Sequence, residues 1–153
     1  MRYMNSTTVH KETMMTALYT ANATATGAGR TGNTKTDDGV LDLTLTMPKQ
    51  LGGDGAHGTN PEQLFAAGFA ACFLSALKFT ASAAKVKLPE DTSVSVSVGI
   101  GPREGGFEIH PAISVSIPGL DRATAEGLVA KAHQVCPYSH AMRTPKEIPA
   151  VLA

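Results

Sequence analysis

Apolar and polar residues alternate most regularly between Thr92 and Ile117. In "TSVSVSVGI" and "FEIHPAISVSI", Val or Ile recurs at nearly every second position with Ser between. That period predicts two strands with one wet face and one packed face. The connecting "GPREGG" predicts the turn of a hairpin. Nearer the start, "TALYTANATAT" and "VLDLTLTM" are rich enough in β-branched residues to be strands, and the turn-prone Asp37-Asp38-Gly39 precedes the second. Asn60-Pro61-Glu62-Gln63 is a helix start, with Asn60 as N-cap and Pro61 as the first helical residue. The apolar run behind it carries the helix from Pro61 to about Ala84. After the Pro118-Gly119 break, Asp121 caps a second helix, "RATAEGLVAKAHQV", which Pro137 interrupts. The tail "KEIPAVLA" is a candidate last strand that Pro149 confines to a sheet edge. Strands separated by two helices predict an α+β domain with mainly antiparallel sheets. Residues 1–13 form a polar lead-in and 14–153 one domain, without internal repeats.

Charge narrows the function classes. The 153 residues carry 13 basic and 13 acidic side chains, so no basic field invites nucleic acid or an anionic membrane. The longest uncharged apolar-rich run, Leu64 to Leu77, is shorter than the roughly 18 residues of a bilayer span. Arg2, Lys11 and Glu12 interrupt the first residues, against a secretory signal. The expected location is a reducing cytoplasm, where two cysteines are free, catalytic or metal-bound rather than a permanent staple.

Gly53, Gly55 and Gly58 have the spacing of a dinucleotide-binding loop. Pro48 breaks the strand that should lead into it, and the strands that follow make a hairpin instead of a parallel crossover. The glycines are read as a flexible lead into a helix start.

The cysteines leave alternatives open. On a regular helix Cys72 shares a face with Phe65, Gly68, Phe69, Ser75, Ala76 and Phe79, an apolar setting that suppresses the thiolate and suits an inert core thiol. Cys136, just before Pro137, is placed to cap a new turn and aim its sulfur at free N–H groups, which favours a thiolate. His133, Cys136 and His140 stand at metal-ligand steps, although Pro137 bends the helix that would align them. A redox pair, a packing role and a metal site all remain open.

"GTNPEQLFAAGFAACF", "LKF", "KAHQVCPYSHAMR" and "DDGVLDLTL" together resemble the organic hydroperoxide resistance proteins, a branch of the osmotically inducible protein C (OsmC) superfamily, over roughly Tyr19 to Arg143. The resemblance implies an OsmC-like fold, an intertwined homodimer and a thiol peroxidase with no bound metal, haem or flavin. It implies that Cys72 attacks the peroxide, that Cys136 resolves the product, and that Arg30 and Glu62 belong to the active site. It also implies recycling by a dithiol of the lipoyl type. In physical terms, a thiolate at Cys72 needs a permanent cation beside it, which Arg30 would supply and Glu62 would orient. Phe65, Phe69 and Phe79 are the candidate apolar surface for an organic substrate. Glu62 lies ten residues before Cys72, about 15 Å along a regular helix. Either that helix breaks near Gly68, or Arg30 and Glu62 reach the Cys72 of a second subunit. The osmotically inducible branch, a non-catalytic redox sensor and a metal-binding protein are the rival functions.

Overall fold

The computed structural model describes residues 16–153; the polar lead-in at 1–13 lies outside them. Three short strands, β1 (Ala23–Thr26), β2 (Asn33–Thr36) and β3 (Asp42–Thr44), form an antiparallel meander in that order. Ala23 faces Thr36, and Asn33 faces Thr44. The first expected strand is therefore cut to its last four residues, and β2, "NTKT", was not anticipated. β2 pairs on both sides through its backbone, while its polar residues carry no alternation for a pattern to detect.

The helix α1 (Pro61–Ala83) runs unbroken for 23 residues. Asn60 caps it: its side-chain oxygen accepts the N–H of Gln63 at 2.8 Å. By length and composition alone α1 could cross a membrane. Here it is the central support, packed against α2 (Arg122–Val135), α3 (Pro137–Arg143) and the strand β4 (Ser93–Arg103). β4 pairs with β5 (Gly106–Ser116) along its whole length, from Ser93 opposite Ser116 to Arg103 opposite Gly106. Val94, Val96, Val98 and Ile100 are half-buried and the serines between them exposed, as the alternation requires. Gly105, at φ 77°, takes the left-handed conformation that the tight turn between the strands needs.

Phe69, Phe73, Ala76, Leu77 and Ala81 of α1 close the core with Leu128, Ala132 and Cys136, and the apolar face of the hairpin packs over them. Each fully buried Phe or Leu contributes about 1.5–3 kcal/mol. This stripe is centred on Phe73, one residue round the helix from the face expected for Cys72. Ser75 and Phe79 are consequently exposed.

One further expectation is corrected. The tail 146–153 forms no strand, and Ile148, Val151 and Leu152 are exposed; two prolines, at 145 and 149, interrupt the donors that a ladder would use. The meander β1–β3 makes no extended contact with the helices or with the β4–β5 hairpin. It joins them through a bridge from Leu45 to Thr59 and through one ion pair.

Candidate active site

The ion pair joins Arg30 to Glu62. Arg30 lies in the link between β1 and β2, where Gly27 and Gly29 take positive φ and a Cβ at Gly32 would collide with the Thr26 carbonyl. This glycine turn folds the guanidinium back onto the first turn of α1. Nη2 donates to Glu62 Oε1 at 2.7 Å and Nη1 to Oε2 at 3.0 Å, a two-pronged match of fork to carboxylate. The Arg30 bonds hold the Glu62 carboxyl below the usual carboxylate range, and the same contact raises Arg30. The side chains are 34% and 13% exposed, so the arginine keeps one side open while the glutamate is largely covered.

The glycine loop that precedes α1 answers to packing. A Cβ at Gly53 would collide with the Met47 carbonyl, and one at Gly58 would press on the Thr46 side chain. These glycines let the loop lie against the chain after β3 and deliver it to the Asn60 cap.

Farther along α1, Cys72 faces Cys136. The Cys136 thiol donates to the Cys72 sulfur, Sγ to Sγ 3.7 Å, across 64 residues of sequence. Both are free thiols. Cys136 is 0% exposed, whereas Cys72 is only half-buried. The backbone of Cys136 does cap α3, but its sulfur accepts no N–H from that helix, contrary to the sequence expectation. The side chain is turned back into the core toward α1. Burial pushes the Cys72 thiol up, the backbone amide of Tyr138 opposes that, and Cys136 adds to the rise. None of the groups that shift Cys72 is a cation. Because α1 is continuous, Glu62 and its arginine stand about 15 Å up the helix from the Cys72 of the same chain.

His133 packs its ring against Phe73, centroids 6.2 Å apart. Among the described residues no three His, Cys, Asp or Glu side chains converge as a metal site.

The aromatic surroundings differ from the expected set. Phe65 and Phe69 meet edge to face at 5.8 Å, and both contact Tyr138, at 6.2 and 5.6 Å. Phe69 is itself buried in the core. Phe65, Pro137, Tyr138, Ala141 and Met142 line a cavity of about 370 Å³, and two of these residues directly follow Cys136 in the chain. Phe79 is no part of it: 68% exposed, it lines a separate depression with Lys131 and Val135. Tyr138 escaped the sequence reading. Its signal was Gly68, a lone glycine inside an apolar helix, since a Cβ there would come within 2.9 Å of the Tyr138 hydroxyl. A second cavity, of about 450 Å³, opens beside Glu62 between Leu51, Ala66, Val98 and Ile100.

The model of the OsmC-like protein family matches residues 52–149. An organic hydroperoxide resistance protein of Xanthomonas axonopodis pv. citri is 53% identical over 136 residues, covering 89% of this chain and 95% of its own. Organic hydroperoxide resistance protein OhrB of Bacillus subtilis is 46% identical over 127 residues, 83% of this chain and 92% of its own. The crystal structure of an organic hydroperoxide resistance protein from Legionella pneumophila superposes with a TM-score of 0.78 at 51% identity, covering 84% of this chain and 92% of that one.

Proposed function

Since the chain belongs to the organic hydroperoxide resistance proteins of the OsmC-like family, we propose that it detoxifies organic hydroperoxides as a cysteine-based peroxidase. The observation that carries this is the 3.7 Å approach of Cys72 and Cys136 from positions 64 residues apart. The Cys72 thiolate attacks the outer oxygen of R–O–O–H, the O–O bond breaks, and the departing alkoxide takes a proton to leave as the alcohol. Cys72 is then a sulfenic acid. The Cys136 sulfur attacks it, and hydroxide leaves with the Cys136 proton as water to give a disulfide. A dithiol of the lipoyl type reduces that bond by exchange, which requires a reducing compartment such as the cytoplasm.

A thiolate at Cys72 needs help that one chain does not give, because burial raises this thiol. We therefore propose a homodimer in which Arg30 and Glu62 of each chain serve the Cys72 of the other. Three features support this. The unbroken α1 removes the alternative of a helix broken near Gly68. No residue of β1–β3 is buried or belongs to the hydrophobic core. The cavity beside Glu62 has room for side chains of a second subunit. The guanidinium would favour the thiolate and stabilise charge on the leaving oxygen.

The apolar cavity walled by Phe65, Tyr138 and Met142 suits the R group, with a gain of about 25 cal/mol for each Å² of alkyl surface covered. Stopped-flow oxidation with cumene hydroperoxide and hydrogen peroxide, followed by intact mass, tests the proposal. The organic peroxide should react faster, Cys72→Ser should be inactive, and Cys136→Ser should stop after one turnover. Full turnover by Cys72→Ser would reject the mechanism.

A further inference from the structure

The corner between α2 and α3 is held in an unusual way. In an uninterrupted helix the carbonyls of His133 and Gln134 would accept from the N–H groups of residues 137 and 138. Residue 137 is a proline with no N–H, and the amide of Tyr138 makes no bond to the Gln134 carbonyl. Arg143, the last residue of α3, takes both places. Its Nη1 donates to His133 O and its Nη2 to Gln134 O, each at 2.7 Å. A fixed positive charge thus sits on the negative end of α2, and α3 is tied back onto the helix it follows. Cys136 lies at the bend so enclosed, its N–H bonded to Ala132 O and its own carbonyl accepting from His140.

Disulfide formation must bring the sulfurs from 3.7 Å to about 2.0 Å. The core around Cys72 is fixed by α1, so the corner that carries Cys136 governs this approach. Resting on the peroxidase mechanism above, we infer that Arg143 is a positioning residue for the resolving step: its fork on the two free carbonyls keeps Cys136 aimed at the oxidised Cys72. Arg143 touches neither sulfur, and it should leave the attack on peroxide nearly unchanged. Lysine has one compact donor group in place of the fork and should restore the effect only partly.

Stopped-flow and quenched-flow mass spectrometry on the full chain separate the two steps, with dimedone trapping the sulfenic acid. In Arg143→Ala the closure rate should fall about ten-fold, the equivalent of about 1.4 kcal/mol at the barrier, because an exposed guanidinium is partly screened. Peroxide attack should stay within about two-fold of wild type, and the dimedone adduct should accumulate. Arg143→Lys should fall between the two proteins, and it carries the comparison if the alanine variant does not fold. Closure as fast as in wild type, or faster, would overturn the role of Arg143 while leaving the peroxidase mechanism intact. Failure of wild-type Cys72 to oxidise at all would overturn that mechanism, and this inference with it.

Discussion

Treating the reduced protein with one equivalent of organic hydroperoxide should raise its thermal stability, by an amount the structure bounds. The bond would close a loop of 64 residues, and restricting the unfolded chain that far is worth about 4 kcal/mol. Drawing the sulfurs together by about 1.7 Å costs part of this as native strain, leaving about 3 kcal/mol. For a chain of this length each kcal/mol moves the melting point by about 2–4 °C, so the oxidised form should melt about 6–12 °C higher. Differential scanning fluorimetry of the two forms, with intact mass confirming the loss of two hydrogens from a single chain, is the assay. An oxidised form that melts at or below the reduced one would show that the core resists the bond. A disulfide found between chains instead would contradict the 3.7 Å approach itself.

Three other outcomes follow from the geometry. Gly68→Ala should gain about 1 kcal/mol of helix propensity while pushing the Tyr138 ring off α1; its melting point should change little, whereas its preference for cumene hydroperoxide over hydrogen peroxide, read from kcat/KM, should fall. Glu62 is held below its unfolded value, so the Arg30 pair stabilises the fold at neutral pH and loses that contribution only as pH falls through the depressed value. Urea denaturation should show Glu62→Gln about 1 kcal/mol less stable at pH 7, a figure reduced because Arg30 is a third exposed, with the difference vanishing in strong acid. A constant difference at both extremes would mean the pair is not its source. In Arg30→Met, the pH profile of Cys72 alkylation should move to higher pH, because the raising effect of burial would lose the opposing guanidinium that the proposed dimer supplies; an unmoved profile would separate Arg30 from the thiol.

Much of the scaffold was legible in the chain because its signals are local. Asn60-Pro61 and Asp121 each commit a helix start through bonds within one turn, to Gln63 and Thr124 respectively. The Val/Ser alternation of β4 and β5 fixes which face is wet without reference to anything else. The short strands were harder: β2 is polar throughout and exists only because neighbours on both sides supply its ladder. At the site, the two cysteines stood out by position and received their roles from family resemblance, which also singled out Arg30 and Glu62, since nothing local in a glycine turn shows that Arg30 reaches a carboxylate 32 residues away. The order of exposure of the thiols was not legible. Cys136 looked like the open cap and is the buried one, because the side chain at a helix boundary turns wherever tertiary packing leaves room. Phe79 lay on the face expected for Cys72, yet the true core stripe is rotated toward Phe73, which leaves it outside.

In the proposed dimer each site joins the thiols of one chain to the Arg30–Glu62 pair of another. Mixing Arg30→Ala chains with Cys72→Ser chains, after unfolding and refolding together, measures this directly. Each variant alone should be nearly inactive. Random pairing makes half of the dimers mixed, and each mixed dimer holds one complete site of two, so about a quarter of wild-type peroxidase activity should return. Activity no greater than the sum of the separate variants would contradict a site shared between chains.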